Sequence, residues 1–248
     1  MPKLLMLILL AGLITGCASL NKGGFGPMER SLNRAPYGYK VVDDPTNIAP
    51  TEVVERFELR DGDCFSDGGH GWSDCANDRE RTELKQIGNN AYGSAAWYGW
   101  YMYVPESYEN IHPVKVALGQ FHQRSSKPAF MFQNHKGGLY IDRQLWGHTQ
   151  DLEQVIKEED LRGKWHRFEV HAKWSRDETG FFRLFVNGEE RYSHEGRTSA
   201  KSTYFKYGIY RSFISRKRSD EELPTQVVYY TGVRKGPTRE SIKVPEEN

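Results

Sequence analysis

The sequence predicts an all-β protein folded as an antiparallel two-sheet sandwich or jelly roll, and three observations carry that expectation. Short runs of alternating polarity recur along most of the 248 residues. Only one stretch, Asp151 to Glu159, reads as a helix, and it is short and acidic. Asn187-Gly188 stands between two such runs, the strongest short-range hairpin signal in the chain. The length suits one large domain, since all-β domains of about 200–250 residues are common. Aromatic residues make up 13% of the chain, which fits a β-rich core and equally fits rings that stack on sugars. A formal net charge of +1 lacks the basic excess that nucleic-acid binding needs, so no nucleic-acid partner is expected.

The N terminus reads as a targeting segment. Lys3 precedes an apolar run, Leu4 to Leu13, too short to span a bilayer as a stable helix. The run ends in Leu13-Ile14-Thr15-Gly16-Cys17, which resembles the lipobox of bacterial lipoproteins. That resemblance implies cleavage after residue 16, lipidation of Cys17, and a membrane partner reached through the lipid. Ala18 after the cysteine favours the outer membrane of a bacterial envelope, facing periplasm or cell surface. With Cys17 acylated, Cys64 and Cys75 remain as an even pair in an oxidising compartment and are expected to form a disulfide. Metal binding is the weaker alternative, because only His70 lies between the two thiols.

Residues 17–50 read as a lipidated tether and irregular segment, rich in Gly and Pro with no sustained apolar period. The β domain is expected over 51–236, followed by a polar tail at 237–248. Val54, Phe57 and Leu59 open a strand region that stops at Asp61-Gly62-Asp63. Asp61, Asp63, Asp67 and Asp74 match no defined ion loop and read as solvated turn carboxylates; no metal site is assigned, with room left for structural calcium. As a strand, 79–85 places Arg79, Arg81, Glu83 and Lys85 on one face, which suits an acidic ligand and equally a solvated edge strand of mutual salt bridges. Trp97 to Val104 is aromatic on both faces, as in a central strand. In 114–123, Val114, Val116, Leu118, Gln120 and His122 share one face if the strand runs regularly. The segment 164–174 alternates, with His166, Phe168, Val170, Ala172 and Trp174 facing inward. In 204–210, Phe205, Tyr207 and Ile209 face one side, and Tyr204, Lys206, Gly208 and Tyr210 the other. Lys206 and Tyr210 are then about 13 Å apart, the reach of two or three sugar subsites rather than of one small pocket. Arg216-Lys217-Arg218 reads as a solvated loop, and 226–231 as a closing strand.

Three of these segments, in order, resemble the sequence blocks of jelly-roll alginate lyases: Arg81-Thr82-Glu83-Leu84, Gln120-Phe121-His122, and Tyr204-Phe205-Lys206-Tyr207-Gly208-Ile209-Tyr210. The wider context, including Gly163-Lys164-Trp165-His166 and Lys173-Trp174-Ser175, is closer to the heparin lyase I and glucuronan lyase family. The chain departs from the alginate pattern at Phe121, at Tyr207 in place of Ala, and at Arg211-Ser212 in place of Asn-Gln, which points away from alginate itself. The resemblance implies a concanavalin-like β-jelly roll with a concave cleft and β-elimination on a uronate polysaccharide, giving a 4,5-unsaturated uronate end. It implies that Arg81, Gln120 and His122 surround the substrate carboxylate. Tyr210 would act at the C5 proton and the leaving oxygen, with His122 as alternative or partner base. Lys206, Arg79, Glu83 and Tyr204 would bind substrate. No organic cofactor is needed, the partner is an acidic polysaccharide, and a monomer is expected. A non-catalytic glycan-binding envelope lipoprotein is the alternative. A glycosidase would need two carboxylates flanking the bond, and the clustered acidic strand of jelly-roll glucanases is missing.

Overall fold

The structure is a computed structural model that describes residues 20–68, 71–145 and 151–244. Cys17 and His70 fall outside those residues. The strands are β1 (Leu20–Lys22), β2 (Gly26–Arg30), β3 (Tyr39–Asp43), β4 (Val53–Leu59), β5 (Arg79–Gln86), β6 (Ala95–Tyr103), β7 (Lys115–Gln123), β8 (Pro128–His135), β9 (Gly138–Arg143), β10 (Asp151–Ile156), β11 (Trp165–Lys173), β12 (Phe181–Val186), β13 (Glu189–Glu195), β14 (Thr203–Ser212) and β15 (Gln226–Gly236). They form two antiparallel sheets, one ordered β1-β2-β5-β14-β7-β8-β9-β10 and the other β13-β12-β11-β6-β15-β4-β3. This is the expected jelly-roll sandwich.

Alternation explains most of the packing between the sheets. Phe205, Tyr207 and Ile209 of β14 are fully buried, as are Phe168, Val170 and Ala172 of β11. The Phe205 ring lies 5.1 Å from Trp100 and 5.0 Å from Phe121, so three strands of two sheets meet on it. Burying a side chain of that size stabilises the fold by roughly 2–3 kcal/mol. Asn187 and Gly188 both have positive φ and close the β12–β13 hairpin, as their sequence predicts. The 64–75 disulfide is formed.

Four regions differ from the expectation. The sheets reach into the supposed tether: β1, β2 and β3 lie within 20–43. Two isolated apolar side chains do the anchoring there, Phe25 stacked 5.1 Å from Phe205 and Met28 buried beside it, and two residues make no visible period. The acidic segment Asp151–Ile156 is an edge strand paired to β9, and helix survives only as α1 (Glu158–Leu161). The β-branched pair Val155-Ile156 and the unpaired edge of β9 outweigh the acidic helix pattern. Near the C terminus, the polar tail docks on the sandwich. Ile242 covers Gly99 on the outer face of β6, and Arg239 pairs with the buried Glu169 at 2.7 Å. Finally, β7 is irregular. Its register against β8 slips between Ala117 and Gly119, so Val116 and Leu118 face the core while Gln120 and His122 face the opposite side, with Phe121 taking over inside.

Candidate active site

β14 lies between β5 and β7, so the three motif-bearing segments are immediate neighbours in one sheet. Register fixes the rows. Tyr204 stands opposite His122, Lys206 opposite both Gln120 and Lys85, and Tyr210 opposite Arg81. Together they floor a cleft of about 880 Å³ lined by eight Lys or Arg side chains and a single Asp.

Gly208 gives this floor its shape. The register of β14 against β7 shifts between Tyr207 and Tyr210, and within that bulge Gly208 takes φ +123°. A Cβ there would sit 2.3 Å from the Thr82 carbonyl and 2.8 Å from the Phe57 ring, so no other residue fits. Tyr210 is therefore aimed by a kink that needs glycine two positions before it.

The buried carboxylate of Glu83 joins the floor from beneath. It accepts from Gln120 Nε2 at 2.6 Å, forms an ion pair with Lys206, and lies 3.6 Å from Arg81. Glu83 itself does not line the cleft, so it holds the binding groups rather than touching a ligand. Gln120 keeps one N–H free, and its buried Oε1 has no partner among the described residues. Arg81 is clamped from the other side by Asp74, whose Oδ2 lies 2.6 Å from Arg81 Nε. Asp74 is fully buried and also accepts from the Trp72 indole at 2.8 Å. It is the residue that sequence reasoning missed, having been placed among solvated turn carboxylates. Its position beside Cys75, in a loop closed by a disulfide and facing a strand of guanidiniums, is the signal that could have found it. The other three loop carboxylates also take protein donors: Asp61 from Leu223 N, Asp63 from the Tyr37 hydroxyl and Asp67 from Trp72 N. Among the described residues, no group of three or more His, Cys, Asp or Glu is placed to hold a metal ion.

Protonation follows from burial and from this cationic surround. His122 is pushed down to about 3, first by desolvation and then by Lys206 and Arg81. Its Nδ1 sits 2.8 Å from the Gln123 carbonyl, which can only accept, so the ring proton is on Nδ1 and Nε2 carries a lone pair. Burial raises the Tyr210 phenol above its ordinary value, with Arg81 and Arg79 opposing. Lys206 is pulled down to about 8 by burial, against the attraction of Glu83. The Arg81 guanidinium lies 4.6 Å over the Tyr210 ring and Lys206 Nζ 5.7 Å from its centroid. At the other end, His122 packs against the Tyr204 ring at 5.3 Å. The rows of His122 and Tyr210 are five β7 residues, about 16 Å of backbone, apart, but the Tyr210 ring reaches back to Lys206, so both side chains border the same cation cluster. Arg79 lines the same cleft beyond Tyr210, opposite Ser212.

A model of the family described as polysaccharide lyase matches residues 16–234. The chain belongs to that family. Among solved structures, the lyase resembles the endo-β-1,4-glucuronan lyase of the fungus Trichoderma reesei at 17% identity and TM-score 0.65, covering 90% of this chain and 96% of that one. It resembles the alginate lyase of a Corynebacterium species at 17% identity and TM-score 0.52, covering 81% and 80%. A His-to-Asn, Tyr-to-Phe variant of alginate lyase A1-II′ in complex with substrate matches at 10% identity and TM-score 0.51, covering 74% and 77%. These likenesses establish a shared fold. No curated protein matches the chain.

Three of the departures from the alginate pattern sit in the core. Phe121 and Tyr207 are fully buried, and the Tyr207 hydroxyl donates to Glu55 at 2.9 Å. Arg211 is fully buried too, binding Glu80 at 3.0 Å, Gln226 at 3.0 Å and the Pro224 carbonyl, and so tying the two sheets together. Only Ser212 reaches the cleft, so the other three changes carry no information about the substrate.

Proposed function

We propose that this lyase cleaves a uronate-containing polysaccharide by β-elimination, with Arg81, Gln120 and Lys206 binding the carboxylate at the cut, His122 as base and Tyr210 as acid. The observation that carries the reading is the pairing of a neutral imidazole with a protonated phenol across a cluster of buried cations. The C5 proton is too weakly acidic to remove unless the charge that develops on the neighbouring carboxylate is neutralised. Arg81, Lys206 and the free N–H of Gln120 supply that neutralisation on groups already fixed by Asp74 and Glu83. The substrate carboxylate would in turn offset the charges of Lys206 and Arg81, which hold His122 down, so binding would raise the basicity of Nε2 where it is needed. The phenol, kept protonated by burial, can donate to the leaving glycosidic oxygen. The similar structures are of lyases named for glucuronan and alginate, both uronate polymers, which supports the substrate class.

Incubating the mature protein with a panel of uronate polysaccharides and following the ultraviolet absorbance of the unsaturated uronate tests this. Wild type should generate the absorbance, and Tyr210→Phe should lose it by about 10³-fold, within the usual range for a general acid–base group. Absence of the signal on every uronate polymer, or an undiminished rate in Tyr210→Phe, would sink the assignment.

We further propose that Cys17 anchors the lyase to the bacterial envelope, with the outer membrane favoured. The support is the lipobox-like run ending at Cys17 and the following Ala18, both in the segment outside the described residues. Among the described residues no helix is long and apolar enough to cross a bilayer.

A further inference from the structure

We infer that Arg79 and Arg216, both held over the ring of Phe213, form an oxyanion clamp at the Tyr210 end of the cleft that binds a second acidic group of the polymer. This rests on the reading of the cleft as a uronate-polymer site and extends it to a neighbouring sugar. The basic run at 216–218 is not merely a solvated loop, because Arg216 lines the cleft. Its guanidinium carbon lies 4.0 Å from the centroid of Phe213, and that of Arg79 lies 4.1 Å from the same centroid. The two guanidiniums therefore lie no more than about 8 Å apart, both packed on the one ring at this end of the cleft.

Arg216 makes no ion pair among the described residues, and Arg79, which donates to the Asp78 carbonyl at 2.8 Å, has only a long contact of 4.0 Å with the carboxylate of Asp78. Its oxygens instead accept from Ser215 N and Ser215 Oγ, each at 2.8 Å, while its own carbonyl accepts from Phe213 N at 3.1 Å. Asp78 is thus committed to holding the loop in place. Phe213 takes φ +59°, a left-handed conformation that a bulky side chain rarely adopts. That backbone turns its ring to the cleft, where both guanidiniums lie over it. Guanidinium pairs of this kind suit oxyanions, and the group bound would be a carboxylate or a sulfate ester on the sugar next to the one being cut. Arg79 stands two residues from Arg81 on the same face of β5, about 7 Å along the strand, which is close to the interval between adjacent sugars.

The test measures binding in a Tyr210→Phe background by titration calorimetry, so it does not depend on turnover. The probes are a hexasaccharide carrying uronate carboxylates only and a sulfated uronate hexasaccharide. Arg216→Ala should weaken binding of at least one probe by about tenfold, the loss shrinking in high salt, while Arg218→Ala, outside the cleft lining, should leave it unchanged. A loss on the carboxylate-only probe assigns the clamp to a carboxylate, and a loss confined to the sulfated probe assigns it to a sulfate ester. Equal binding by Arg216→Ala and its parent on both probes overturns the clamp, whether or not the wild type proves to be a lyase. Equal losses in Arg216→Ala and Arg218→Ala overturn it as well, since they would report net charge alone. If neither probe binds even the parent, the uronate reading of the cleft fails and the clamp falls with it; a parent that binds but gives no unsaturated product leaves the clamp standing and removes only the lyase chemistry.

Discussion

A lysine ammonium removed from water keeps its proton only if nearby charge replaces its hydration, and at Lys206 the replacement is incomplete. Glu83 stabilises the charge, but burial and Arg81 work against it, and the group titrates near 8 rather than near its ordinary value. The proposed chemistry needs that charge opposite the substrate carboxylate. We therefore expect kcat/KM to fall as pH rises through about 8, and the limb to move well above 9 in Lys206→Arg, whose guanidinium stays charged. The fold should not fail in the same window. With the folded pKa below the unfolded one, the unfolded chain binds more protons between about pH 8 and 10, so this group's contribution to stability rises there. A thermal-melting series beside the rate profile separates the two effects, and a profile flat to pH 9.5 would remove Lys206 from the reaction. At this scale the motif residues were legible through the resemblance of three segments, taken in order, to lyase sequence blocks, whereas strand spacing alone left an ordinary solvated face equally open. Asp74 was not, since a loop carboxylate reads as solvated unless its place beside Cys75, in a loop pinned against β5, is weighed as well.

The site depends on two irregular strands more than on any single side chain. Alternation alone places Gln120 and His122 on the face of Val116 and Leu118, which is the core. The slip near Leu118 turns them into the cleft, and Gly119, at the slip, is the only mark of it in 114–123. On β14 the mark is plainer, because Gly208 interrupts an otherwise aromatic run at the bulge. Gly208→Ala should cost about 3 kcal/mol or more in urea unfolding, from the clash with the Thr82 carbonyl and Phe57 and from the forced φ. It should also lower the rate beyond what lost stability explains, by displacing Tyr210. A variant of native stability and native rate would show that the kink is not required. Strands with long alternation were readable for the same reason that irregular ones were not. Period carries the signal, and β1, β2 and β10 are too short or too weakly apolar to show one.

Across the whole molecule, charge is distributed unevenly. A chain with formal net charge +1 gathers eight Lys or Arg side chains into one cleft with one Asp on its surface. Much of that charge is paired: Lys115 with Asp142 at 2.6 Å, Arg143 with Asp151 at 2.8 Å, Lys85 with Glu29 at 3.0 Å, and Arg81 and Lys206 with Asp74 and Glu83 behind the floor. The remaining field is concentrated where low-dielectric walls focus it, which favours capture of a polyanion over its release. An extended acidic polymer would meet several cations at once and displace their counterions together. Association should therefore be steeply salt-dependent although the protein as a whole is almost neutral. Between about 50 and 500 mM NaCl, where the Debye length falls from about 14 to 4 Å, kcat/KM on a long uronate polymer should drop by at least tenfold. The loss should fall on KM, because the buried groups at the point of cleavage are screened far less than those at the cleft mouth. Short oligomers, which span fewer cations, should lose proportionally less. A kcat/KM indifferent to salt, or a loss falling equally on short and long substrates, would mean that the cleft cations do not gather the polymer.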